Sequence, residues 1–133
     1  ALDNKSVPDV WQDATIVSTT SMAYIDYGTC TTVGTKPIGK YRLDFSADFT
    51  NSNKNKGVGI IVEWKEQAQP TWNELREVTK ITGYNDEYDN FSSFSFFDTA
   101  NIDNLQFRFR FRQIDSGGVA RLKEVDIGLV QVG

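Results

Sequence analysis

Three arginines stand at alternate positions in the stretch "LQFRFRFR", where Arg108, Arg110 and Arg112 are separated by phenylalanines. In a strand the arginines project to one face and Phe107, Phe109 and Phe111 to the other. A row of guanidinium groups has three chemical uses. It can pair with carboxylates on a neighbouring strand, worth roughly 0.2–1 kcal/mol per pair. It can bind carboxylates across a subunit contact, where Arg is enriched and bidentate. It can also attract a phosphate backbone. The chain has 18 acidic against 14 basic residues, a formal net charge of −4, and nothing around the three arginines is basic. That balance argues against a nucleic-acid partner, which asks for a net basic footprint.

Other side chains offer other chemistry. The loop "YNDEYDN" carries Asp86, Glu87 and Asp89, hard oxygen donors of the kind that hold Ca²⁺. Their spacing does not match an EF-hand loop, and a solvated loop is the simpler reading. Asp48, Asn51, Asn53 and Asn55 in "DFTNSNKNKG" raise the same question, with Lys54 and Lys56 opposing a cation. Exposed aromatics would point to sugars, and Trp11, Trp64, Trp72, Tyr84 and Tyr88 are the candidates. Trp64 is in register with Val58, Ile60 and Val62, which places it in the core; Trp72 lies in a loop and is the candidate glycan contact.

Several classes are excluded. Histidine is absent and Cys30 is the only cysteine, so Ser-His-Asp and Cys-His catalysis, the usual zinc sites and an intrachain disulfide are ruled out. A pair of carboxylates can cleave glycosides without histidine. Nothing singles out such a pair, and 133 residues leave little room for a deep cleft. The expectation is no enzyme, no metal and no cofactor.

The elements that position these residues follow from alternation. At 133 residues, 39% hydrophobic and 13% aromatic, the chain has the size and composition of one globular domain. No apolar run approaches the roughly 20 residues that span a bilayer, and the polar start reads as lacking a signal peptide. Residues 1–13 read as an extended arm that is mobile on its own fold, with Val10 and Trp11 as anchors, and residues 14–133 as the folded domain. "ATIVSTTSMAYIDYG" fits one or two strands. "KYRLDFSADF" turns Tyr41, Leu43, Phe45, Ala47 and Phe49 to one side. "VGIIVEWKE", "FSSFSFFD" and "LQFRFRFRQI" are further strands. "ELREVTKITGY" has near-helical spacing at Leu75, Val78 and Ile81, yet its neighbours favour a strand. The last segment, "VARLKEVDIGLVQVG", shifts phase between Leu122 and Val125, which predicts a bulge. About eight strands and no helix predict an all-β, two-sheet antiparallel sandwich, a jelly roll with an extended N-terminal arm.

The order of these segments adds a resemblance. "IGKYRLDFSADFTNSNKNKGVGIIVEW" is a Gly-aromatic strand, an Asn/Ser turn and a second apolar strand; "FSSFSFF", "LQFRFRFRQ" and "VARLKEVDIGLVQV" follow. The succession, over roughly residues 38 to 133, resembles small jelly-roll virion proteins of tailed bacteriophages with tumour-necrosis-factor-like topology. Capsid decoration (cement) proteins and the heads of short fibres belong to that group. The charged segment from Gln67 to Asn90 departs from its usual pattern. The resemblance implies a structural, non-enzymatic homotrimer, assembled in the host cytoplasm, that binds the major capsid protein at the capsid surface and stabilises the shell. No membrane and no nucleic acid enter that picture. Val10, Trp11, Arg108, Arg110 and Arg112 are then candidate capsid or subunit contacts. Two other functions stand beside it: a receptor- or glycan-binding head of a tail fibre, and a carbohydrate-binding module, with Trp72 as the glycan contact.

Overall fold

Side-chain alternation with a period of two governs almost every segment of residues 9–133, the part of the chain that the computed structural model describes. Nine strands result: β1 Asp9–Asp13, β2 Val17–Thr19, β3 Ile25–Thr31, β4 Lys40–Asn51, β5 Gly57–Glu66, β6 Asn73–Ile81, β7 Asp89–Asp98, β8 Leu105–Gln113 and β9 Ala120–Gln131. They form two antiparallel sheets. One has the order β1–β9–β4–β7, with β2 also pairing with β9; the other has the order β3–β8–β5–β6. Counted as one interrupted strand along β9, β1 and β2 reduce the nine to the eight of a jelly roll. From β2 onward every connection except the β5–β6 hairpin crosses from one sheet to the other. The expected fold class is the one observed.

The core is the inward half of each alternation. Tyr41, Leu43, Phe45, Ala47 and Phe49 of β4 lie in one buried cluster with Val58, Ile60 and Val62 of β5 and Phe107, Phe109 and Phe111 of β8. The three phenylalanines of β8 are wholly buried, each contributing roughly 1.5–3 kcal/mol. Val10 and Trp11 lie in β1, against this core: Trp11 pairs with Ile127, and its ring stands 5.9 Å from Tyr27 and 6.3 Å from Phe109. Residues 1–8 of the expected arm lie outside the described residues.

Two bulges solve a phase problem that the alternation poses. On β9 the partner of β4 jumps from Asp126 (opposite Ser46) to Lys123 (opposite Asp48), and Glu124 takes a left-handed φ of 52°. Leu122 and Val125, three residues apart, both reach the core as a result. On β6 the register skips Leu75 between Arg76 and Glu74, so Leu75 and Val78 both pack inward. Their near-helical spacing is thus a bulged strand.

Candidate functional site

The outer face of the β3–β8–β5–β6 sheet carries the three arginines, and each has protein partners. Arg108 Nε lies 2.7 Å from Glu63 Oε1 on β5, with its guanidinium 4.3 Å from the centre of the Trp72 ring. Arg110 Nε lies 2.9 Å from Asp26 Oδ1 on β3, and its Nη2 donates to Tyr24 O at 3.2 Å. Arg112 sits 5.3 Å from the Tyr24 ring centre and donates to Met22 O at 3.2 Å. The Tyr24 hydroxyl in turn donates to Glu77 at 2.6 Å; burial and that hydrogen bond push its pKa up to about 12. The carboxylate partners anticipated for these arginines are Asp26 and Glu63. Trp72 is half-buried, its ring stacked against Arg108.

The two acidic or amide-rich loops lie against each other, joined through amide and backbone groups: the Asp86 amide donates to Asn51 O at 3.0 Å. Asp86 pairs with Arg121 at 2.7 Å, and Asn85 accepts from the Lys54 amide at 2.6 Å. Asn51 is buried and donates to Gln113 at 2.9 Å, while Asp48 belongs to the outer face of β4. Among the described residues no group of three or more His, Cys, Asp or Glu is placed to hold a metal ion.

The other sheet offers more. The even-numbered residues of β7 and β4 point away from the core and align in rows across β7, β4 and β9. From one end these rows read Phe96–Arg42–Val130, Phe94–Asp44–Gly128, Ser92–Ser46–Asp126 and Asn90–Asp48–Lys123. Phe94 and Phe96 are about half exposed, at 55% and 50%, with ring centres 5.8 Å apart and planes nearly perpendicular. Lys40 Nζ stands 5.6 Å from the Phe96 centre, and Arg42 Nε lies 3.1 Å from Asp44 Oδ1. Gly128, opposite Asp44, adds no side chain and is itself buried.

At the far end the face deepens into a groove of about 570 Å³, lined by Gln12, Asp13, Ser46, Asp48, Asn90, Lys123, Glu124 and Asp126. Gln12 of β1 donates to Asp126 at 3.3 Å, and Asn90 Nδ2 donates to Asp48 Oδ1 at 2.9 Å. The Thr15 amide, donating to Asp13 Oδ1 at 2.9 Å, holds the Asp13 carboxyl below the usual carboxylate range. Among the described residues, four carboxylates against one lysine make the groove electronegative. The two ends together give an apolar aromatic platform beside hydroxyl, amide and carboxylate groups, the combination that binds a molecule with one apolar and one hydroxylated side.

Sequence reasoning missed Phe94 and Phe96, although a signal exists. In "FSSFSFFD" the inward row is Phe91, Ser93, Ser95 and Phe97, and the outward row Ser92, Phe94, Phe96 and Asp98. Half the inward positions are serine and half the outward ones phenylalanine, an inversion of the usual pattern.

No protein-family model matches the chain, and no curated protein matches it. Among solved structures, the CBM22-1 xylan-binding domain from Paenibacillus barcinonensis Xyn10C is 9% identical, with a TM-score of 0.49 over 97% of this chain and 99% of its own. Eiger TNF from S. frugiperda is 13% identical, with a TM-score of 0.47 over 95% of this chain and 94% of its own. TmCBM61, in complex with beta-1,4-galactotriose, is 16% identical, with a TM-score of 0.44 over 88% of this chain and 70% of its own. At these scores the likenesses carry no argument about what this chain binds.

Proposed function

We propose that this chain is a non-enzymatic glycan-binding domain that lays a sugar chain across the outer face of β7, β4 and β9. The observation that carries the reading is the side-by-side pair Phe94 and Phe96, left half-exposed on a sheet face whose next rows are Ser92–Ser46–Asp126 and Asn90–Asp48. A single exposed apolar residue needs no explanation; two adjacent large rings beside a polar groove are a candidate contact surface. The apolar face of a pyranose fits the rings, and its hydroxyls fit the serine, amide and carboxylate groups. The electronegative groove favours neutral sugars over polyanionic ones.

Isothermal titration with soluble xylan, galactan and hydroxyethylcellulose tests the reading. Binding to at least one is expected, and Phe94→Ala or Phe96→Ala should each weaken it about tenfold or more, equivalent to ~1.4 kcal/mol. Because both rings are half-exposed, either change should leave folding stability within about 0.5 kcal/mol. Absence of binding to a wider panel of neutral polysaccharides would sink the reading.

A second reading takes the same face as a contact between copies of the chain, in the homotrimer of a capsid-surface protein that the resemblance implies. The exposed apolar pair supports this too, since subunit contacts are rich in aromatic side chains. Under it, loss of Phe94 weakens self-association, a result opposite to that expected of a glycan platform.

A further inference from the structure

A second cleft opens where the edge strands β6 and β7 of the two sheets face each other, bridged by the Ser95 hydroxyl donating to Leu75 O at 3.3 Å. It encloses about 330 Å³, at the low end of the roughly 300–1,000 Å³ typical of small-ligand sites. Its apolar wall is Trp64, whose ring centre stands 4.4 Å from that of Phe97 and which is only partly buried. Gln69, Thr71, Asn73 and Asp98 supply its polar groups. Asn73 Nδ2 donates to Trp64 O at 3.4 Å, while the side chains of Gln69, Thr71 and Asp98 make no hydrogen bond or ion pair among the described residues.

The far wall, at Ala100, is fixed by a buried charge. Glu66 is 4% exposed, and its Oε2 accepts from the Ala100 and Asn101 amides at 2.7 and 3.1 Å while Oε1 accepts from Asn101 Nδ2 at 2.8 Å. Its carboxylate is therefore engaged in holding the loop, which leaves the amides, the hydroxyl and Asp98 to face a ligand. The cleft also adjoins the aromatic platform. Phe96 and Asp98 are alternate residues on β7, about 7 Å apart along the strand.

Resting on the glycan reading above, we propose that this cleft is an end pocket: it takes one neutral terminal sugar ring of the chain whose interior crosses Phe94 and Phe96. Trp64 stacks on that ring, and Asn73, Thr71, Gln69 and Asp98 meet its hydroxyls. Among the described residues no cation lines the cleft, and Asp98 at its mouth repels uronic or sialic acids. The domain therefore recognises chain ends, and binding sites on a polymer scale with the number of ends and not with mass.

The test uses the whole chain with xylo-, gluco- and β-1,4-galacto-oligosaccharides of one to six units, read by titration calorimetry and by the Trp64 indole NMR signal. Wild type is expected to bind monosaccharide weakly with a shift of the Trp64 signal, and to bind hexasaccharide more tightly. Asn73→Ala and Thr71→Val, both at exposed positions, should weaken the binding of every length at least tenfold. Phe94→Ala should weaken hexasaccharide and spare monosaccharide. If hexasaccharide binding is lost in Phe94→Ala but changes less than twofold in Asn73→Ala and Thr71→Val, the end pocket is overturned and the platform stands. If shear-shortening a polymer leaves the number of sites per gram unchanged, the end pocket is likewise overturned. If no sugar of any length binds wild type, both fall together.

Discussion

Glu66 illustrates how a single residue fixes geometry at a distance from its own backbone. Burial pushes its carboxyl pKa up, but the hydrogen bonds from Asn101 Nδ2 and from the Ala100 and Asn101 amides outweigh this and hold it below the usual range. A carboxyl whose folded pKa is depressed contributes stability that is present above its unfolded value, about 4.3, and disappears as pH falls through the folded value. Glu66→Gln should therefore cost about 1–3 kcal/mol in urea unfolding at neutral pH, because a buried acceptor is lost and amides are left unmatched. The gap from wild type should narrow as unfolding is repeated toward about pH 3. A gap that stays constant across that range would assign the cost to packing alone. None of this was legible at residue level: nothing in "VGIIVEWKE" marks the final Glu, since its partners lie 34 and 35 positions away.

At the scale of the element, β8 has two faces of different worth. Phe109→Ala removes a wholly buried ring and should cost about 3–5 kcal/mol. Arg110→Ala, on the other face of the same strand, removes an ion pair to an Asp26 side chain that is 60% exposed, and should cost about 0–1 kcal/mol. Arg108→Ala lies between, because Glu63 is 9% exposed and loses its closest cation. Denaturant midpoints of the three variants give the ranking directly, and equal sensitivity of the two faces would contradict it. This strand was readable from sequence because both of its faces obey the rule. β7 was readable only as a strand, since which of its phenylalanines stay wet depends on what packs over them. The bulge of β9 was visible as a phase shift, whereas the same device at Leu75 on β6 looked like a helical spacing.

At the scale of the whole molecule, a sugar chain and another copy of the protein are the two occupants proposed for the outer face of β7, β4 and β9, and sedimentation separates the two readings. The glycan reading expects a species whose mass is unchanged by Phe94→Ala. A trimer that dissociates in Phe94→Ala would transfer the face to a subunit contact. The amino-acid sequence by itself determined most of the strands, though not β1, which it read as part of a mobile arm, and it determined the inward residues of β4, β5 and β8 and the sandwich they require, because a period of two is a local property and burial must follow it. It also excluded histidine-dependent chemistry, since a missing residue type is missing in every fold. Tertiary structure alone decided the neighbours. Phe94 shares a row with Asp44 and Gly128, and Asn90 with Asp48 and Lys123, only because β4 lies between β7 and β9 in one particular register. The cleft at Trp64 exists only because β6 and β7 end up at the same open side of the sandwich. Pairing across strands tens of residues apart leaves no trace in either strand's own pattern, and the sites lie between strands.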